Sequence, residues 1–267
     1  MIAPANGSRH ARSLIALPPR RLGGLAAAIA RRVLWTIALR AAGGCRADGS
    51  LPARPCVIVA NHSSHADTPA LLAVLPPRRR PAVAAAADYW FGGPASRRWR
   101  AAVCTSLTAA FPVRRSGGGS ADLASAAALI AAGRDIIVFP EGTRSRDGSV
   151  GPFHSGAARL AGAAGAPIVP VGIRGTGAML PVHGRLRRTR VVVRIGAPVT
   201  DMAAAQIAVA RLAEPIATHR RRHPSRGPRY ADIPATSPGR QGTIRRLWIT
   251  PLGLSRTDRL RYRERGK

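Results

Sequence analysis

A histidine and an aspartate stand five positions apart, His62 and Asp67, inside the stretch CVIVANHSSHADTPALL at residues 56–72. A carboxylate bonded to one ring nitrogen fixes the imidazole tautomer and leaves the other nitrogen free to take a proton from a hydroxyl. Five positions along a regular helix carry a side chain well off the starting face, so the pair can meet only if His62 precedes the helix. The pattern predicts that arrangement: a short buried strand over 56–60, a polar turn over 61–64 and a helix opening at Asp67 and running to 75. Two other readings fit the same residues. Asp67 could cap the helix, as Asn61, Ser63 or Ser64 could, and His65 is a second base candidate in the same turn.

A second block, IIVFPEGTRSRDGSVGPFHSG, covers residues 136–156. Residues 136–139 read as a strand, Pro140 ends ladder donation, and Glu141, Gly142, Thr143, Arg144 and Ser145 form a polar loop directly after it. Glycine lets backbone approach a ligand, while a hydroxyl and a guanidinium suit phosphate oxygens. The bland alternative is a solvated turn with an ion pair between Glu141 and Arg144. Two weaker blocks follow the same style. Phe-Pro-Val-Arg-Arg at 111–115 puts arginine at the end of an apolar run, and residues 166–173 are a near-continuous apolar strand containing Pro167 and Pro170.

In this order the four blocks resemble the glycerolipid acyltransferase family, the lysophosphatidic acid and glycerol-3-phosphate acyltransferases, over roughly residues 52–199. The family's Asn-His-x-x-x-x-Asp stands here as Asn61, His62 and Asp67, which implies His62 as general base, in preference to His65, with Asp67 orienting it. Phe-Pro-Glu-Gly-Thr-Arg-Ser is unaltered at 139–145, implying that Glu141, Gly142, Thr143 and Arg144 hold the glycerol phosphate end of the acceptor. The arginine motif matches Arg115, implied to contact the same phosphate, and the apolar proline motif matches Pro170, implied to bind the acyl or thioester part. One departure is Arg114, where relatives often carry an acidic residue, and it leaves the acceptor headgroup open. His154, in the segment after the phosphate motif, is expected to be structural or near the substrate rather than a second base.

The implied reaction is acyl transfer from acyl-CoA or an acylated carrier protein to the free hydroxyl of a lysophospholipid, with 1-acylglycerol 3-phosphate the first acceptor expected. Glycerol 3-phosphate or a lyso-aminolipid is the alternative acceptor. The imidazole would deprotonate the hydroxyl as it attacks the thioester, with no acyl-enzyme, and backbone N–H groups of one of the two loops would hold the oxyanion. Cys45, Cys56 and Cys104 form no Cys-x-x-Cys pair, which argues against a disulfide framework or zinc ribbon and fits a reducing compartment. No cofactor and no metal are expected, the acyl donor being a substrate.

The remaining signals concern architecture and surroundings. Further strands are predicted over 82–87, 105–113 and 191–195, helices over 121–132 and 155–164, and a glycine-rich turn over 116–120. Strands alternating with helices argue α/β architecture, a central mixed β-sheet flanked by helices. That domain is expected over 51–223, after a basic N-terminal segment 1–50 and before a basic Pro/Arg/Ser/Gly-rich tail 224–267. The net charge of +30 comes from 42 basic residues, of which Lys267 is the only lysine, against 12 acidic ones. Such a chain is drawn to anionic membrane surfaces, and an aromatic content of 4% argues against a base-stacking nucleic-acid site. A non-catalytic basic protein binding membrane or nucleic acid is the rival class, which an intact base and carboxylate argue against. Residues 22–39 are apolar but interrupted by Arg31 and Arg32, so the segment is expected to lie in the interface as an amphipathic helix with its arginines snorkelling, not to span. The expected location is peripheral or monotopic on the cytoplasmic face of the membrane. The aromatic group Asp88-Tyr89-Trp90-Phe91 reads either as core packing or as the lip of an acyl tunnel or an interfacial anchor.

Overall fold

The computed structural model of the chain describes residues 23–87, 98–114, 120–145 and 147–215. Arg115, the group 88–91, the glycine run 117–119 and the tail lie outside the described residues. In chain order the elements are α1 (Leu25–Ala41), β1 (Cys45–Asp48), β2 (Val57–Ala60), α2 (Asp67–Val74), β3 (Ala82–Ala86), α3 (Arg98–Thr108), β4 (Ala110–Val113), α4 (Ser120–Ala131), β5 (Ile136–Val138), α5 (Gly156–Ala164), β6 (Ile168–Arg174), α6 (Thr176–Met179), β7 (Val191–Ile195) and α7 (Met202–Ala213).

The strands form one seven-stranded mixed sheet in the order β1-β7-β6-β2-β5-β3-β4. β6, β2, β5, β3 and β4 run parallel, while β7 is antiparallel to β6 and β1 is parallel to β7. The sheet therefore begins at β1, inside the segment 1–50. β2 sits between β5 and β6, buried on both faces, which is why Val57–Ala60 is an unbroken apolar run rather than an alternating one. Ile58 and Ala60 point into a core shared with α1 and α2; Val57 and Val59 point into a second core under α4, α5 and α7. Gly172 in β6 lets α7 close over this second core. A Cβ there would lie 2.3 Å from the carbonyl carbon of Leu212.

Two local readings change. Residues 105–108 end helix α3 instead of starting a strand: Thr108 donates its hydroxyl to the Cys104 carbonyl (2.6 Å), and Ala109 at φ 55° reverses the chain into β4. Arg31 does not snorkel outward from α1. It is buried, its Nε donating to the Ser106 carbonyl (2.6 Å) while Trp35 Nε1 donates to that of Leu107 (2.8 Å). A cation and an indole N–H thus meet the carbonyls that α3 leaves open at its C-terminus. That docking turns the apolar residues Leu25, Ile29, Val33, Leu34 and Ile37 of α1 outward, and Trp99, Val103 and Leu107 of α3 are exposed too.

Candidate active site

Parallel strands deliver their following loops to one edge of a sheet, so the loops after the neighbours β2 and β5 must emerge side by side. They do, and they are tied by main chain. The Ser145 N–H donates to the His62 carbonyl at 2.7 Å. On the other side of β2, the Asn61 amide pairs with the backbone of Ile173 twice, accepting from its N–H (2.7 Å) and donating to its carbonyl (2.9 Å). Asn61 thereby extends the β2–β6 ladder with a side chain where the β2 main chain has turned away. Ser64 Oγ adds a bond to the Leu180 carbonyl (2.7 Å), and the hydroxyls of Ser63 and Thr176 lie 3.3 Å apart.

On this frame His62 Nδ1 lies 2.8 Å from Asp67 Oδ2. The same oxygen accepts from the N–H groups of Ser63 (2.7 Å) and Ser64 (2.8 Å), so three donors converge on a fully buried carboxylate. Those amides precede the helix, so Asp67 gathers the turn onto itself rather than capping α2; its negative charge in the first turn also suits the helix dipole. Phe139 stacks on the imidazole, with centroids 4.3 Å apart and planes 21° from parallel. With Nδ1 facing Asp67, Nε2 is the nitrogen left for proton transfer, on a side chain that keeps 20% of its surface in solvent.

The β5 loop divides into an inner and an outer part. Glu141 turns inward, its Oε1 accepting from the His62 N–H (2.8 Å) and its Oε2 from that of Gly151 (3.1 Å). Burial raises its pKa, opposed by those two hydrogen bonds. Gly142 and Thr143 are exposed and Arg144 half-buried, one residue from the Ser145 tie to His62. Gly142 adopts φ 70°, a conformation that strains any residue with a Cβ. His65 is exposed at the rim, its pKa lowered by partial desolvation first and then by the charges of Arg144 and His62. His154 donates its N–H to the Pro140 carbonyl (3.0 Å), a bond that holds the loop.

Other expected residues fall elsewhere. Pro170 is buried within β6 opposite Val59, part of the sheet beneath the loops. Arg114 is paired with Asp122 of α4 (3.1 Å), so its extra charge is met internally. The N–H groups of His62, Ser63, Ser64, Gly142 and Ser145 are all committed to protein acceptors, which narrows the choice of oxyanion donors in the two loops. Cys56 donates toward Asp135 (3.4 Å) with its thiol pushed far up by burial, and Cys45 is raised to about 11, so neither is a ready nucleophile. Among the described residues no group of three His, Cys, Asp or Glu could hold a metal ion. The stacking role of Phe139 and the ties made by Asn61, Ser145 and Gly151 carried no chemical signal in the sequence. Only their place inside the two motif blocks could have drawn attention to them.

A family model described as Acyltransferase matches residues 45–174. The 1-acyl-sn-glycerol-3-phosphate acyltransferase alpha of Homo sapiens is 37% identical over 45% of this chain and 41% of its own length. The chloroplastic enzyme BAT2 of Brassica napus is 42% identical over 27% of this chain and 21% of its own. The chain thus spans less than half the length of either relative. The crystal structure of the 1-acyl-sn-glycerophosphate (LPA) acyltransferase PlsC from Thermotoga maritima superposes with a TM-score of 0.53 at 25% identity, covering 69% of this chain and 77% of that one. Residues 45–174, which carry the His62–Asp67 pair and the loop after β5, match the Acyltransferase family model and resemble 1-acylglycerol-phosphate acyltransferases in sequence and in fold.

Proposed function

We propose that this protein transfers a fatty acyl group from a thioester, acyl-CoA or an acylated carrier protein, to the free hydroxyl of a lysophospholipid, with 1-acylglycerol 3-phosphate the preferred acceptor. The observation that carries this reading is the Asp67-held imidazole of His62 beside the loop that bears Arg144. Nε2 of His62 removes the hydroxyl proton as the oxygen attacks the thioester carbonyl, and Asp67 stabilises the imidazolium that forms. The carbon–sulfur bond then breaks, and the departing thiolate takes the proton back from the imidazolium. Arg144, with Thr143 and the Gly142 turn, holds the acceptor phosphate, and Arg115 joins them. Pro170 contributes to the acyl side only through the sheet that supports the site.

The outward apolar residues of α1, continued by those of α3, support a peripheral or monotopic seat on a membrane surface, which we assign to the anionic cytoplasmic face. Among the described residues no helix is long and apolar enough to cross a membrane. Thiol release from acyl-CoA and from acyl carrier protein, measured with and without a panel of acceptors, tests the reading. Release that depends on lysophosphatidate supports it. Release indifferent to any acceptor, or none with either donor, overturns it. A preference for glycerol 3-phosphate or a lyso-aminolipid would keep the chemistry and change the acceptor.

A further inference from the structure

We propose that Glu141 is a positioning residue that sets the height of the His62 imidazole by its backbone, and that it does not contact the acceptor phosphate. The inference rests on the acyl-transfer reading above. Main-chain pairing between β2 and β5 ends at Val59 and Val138, so nothing in the ladder itself fixes His62, three residues further on. The fixing is done by the β5 loop. Ser145 holds the carbonyl of His62, and the Glu141 carboxylate holds its N–H, so the residue is gripped at both ends of its own backbone unit.

Both oxygens of the carboxylate are spent in this way, one on His62 and one on Gly151, and the residue is only 9% exposed. A carboxylate so placed has little to offer a phosphate. Two anions in direct contact repel, whereas two backbone N–H donors satisfy the carboxylate. Gly151 shows how closely the fit is drawn: a Cβ at that position would stand 3.2 Å from Glu141 Oε2, so that the carboxylate would have to give by a few tenths of an ångström. The loop that bears Arg144 is therefore also the clamp on the base, and acceptor grip and base placement share one rigid segment.

The test separates placement from phosphate binding. Glu141→Gln presents an NH2 where one backbone N–H needs an acceptor, and Gly151→Ala displaces the same carboxylate without removing its charge. Positioning predicts that both lower kcat by about tenfold or more, since small misplacements of a catalytic group are costly. The acceptor KM should stay within about twofold, as expected when ground-state binding is untouched. The low-field proton signal of the His62 Nδ1–H facing Asp67 should shift or broaden in both variants and persist in Arg144→Ala. A variant pair with kcat intact and a lysophosphatidate KM raised about tenfold, the signature of lost ground-state binding, would overturn the proposal. So would an unchanged imidazole signal. Circular dichroism confirms that each variant is folded. If the wild type releases no thiol with any acceptor, the acyl-transfer reading fails alone, and the imidazole signal still decides whether Glu141 sets His62.

Discussion

Phe139 lies against the face of His62, ring centroids 4.3 Å apart and planes 21° from parallel, so the residue that leads the loop after β5 also forms one wall of the imidazole. Asp67 fixes the imidazole along its Nδ1 direction, but a single hydrogen bond does not stop the ring from rocking about that axis. The phenyl ring does. Phe139→Ala is expected to lower kcat by about tenfold through lost orientation, with Phe139→Leu intermediate. Because Phe139 is only partly buried, the loss of stability should fall below the usual range for truncating a core aromatic, at about 2 kcal/mol. Turnover by Phe139→Ala equal to wild type would show that the stacking is incidental.

Asp67 is asked to do two things, and substitutions separate them. Asp67→Asn can keep its amide oxygen on the three donors that converge on Oδ2 and place its NH2 at the buried Oδ1 position, which has no partner among the described residues. Loss of the imidazolium's counter-charge should reduce kcat by about 10²–10⁴-fold, the range for general-base catalysis. Asp67→Ala should in addition destabilise the fold by about 2 kcal/mol, because the Ser64 N–H is buried and would be left unsatisfied. Urea unfolding beside the rate assay distinguishes the two effects.

Asn61 is the third support. Its amide satisfies both backbone groups of Ile173 in a buried place, so Asn61→Ala should cost about 2–4 kcal/mol as two polar groups lose partners. Asn61→Asp would set a carboxylate oxygen against the Ile173 carbonyl, and its cost should be at least as great at neutral pH and shrink as the pH is lowered. Denaturant midpoints at neutral and mildly acid pH measure this. A midpoint for Asn61→Asp that does not move with pH would contradict the assigned amide orientation.

The loop after Arg144 is organised by an acid. Asp147 Oδ1 accepts from the hydroxyls of Ser145 (2.9 Å) and Ser149 (2.7 Å) and from the Ser149 N–H (3.0 Å). Hydrogen bonds to the charged form, those from Ser149 first, lower its pKa from 3.8 to about 2. A depressed carboxylate contributes its ordering fully above its unfolded value, and the contribution is lost as pH falls through the folded one. The loop is thus held by a charged Asp147 at any assay pH near neutral and loosens only toward pH 2. Carbon-detected NMR titration should place the midpoint near 2, and Ser149→Ala should raise it toward the ordinary value. A wild-type midpoint near 3.8 would remove this loop from the account.

The parts of the fold that could be read from sequence are those in which local pattern and global environment agree. β2 and β6 are apolar runs because both faces of the sheet are covered, and the His62 to Asp67 spacing works because a strand, a turn and a helix follow in that order. Residues 105–113 misled because Thr105 and Thr108 favour extended chain intrinsically, while Thr108 bonds back onto its own helix and no glycine or proline marks the reversal at Ala109. Glu141 could be placed in the site but not turned. Whether its carboxylate faces substrate or the neighbouring loop depends on the β2–β5 adjacency, which local spacing does not encode. Arg31 illustrates the same limit. Its partners are carbonyls 74 and 75 positions away, and without them an arginine in an apolar helix reads as membrane-facing.

That reversal of Arg31 leads to a prediction about the surface. If α1 meets lipid through its outward apolar residues, replacing Ile29 and Val33 together with glutamate should abolish sedimentation with vesicles containing anionic lipid. Both side chains are exposed, so stability should change by no more than about 0.5 kcal/mol. Arg31→Ala should do the opposite. It takes a charged donor from the Ser106 carbonyl and should cost about 2 kcal/mol of stability while leaving vesicle binding near wild type. Attraction from the remaining arginines is screened by salt and the apolar contact is not, so raising the ionic strength should weaken wild-type binding only in part. Vesicle binding by the Ile29 and Val33 double variant that equals wild type at high salt would mean that α1 is not the membrane-facing element.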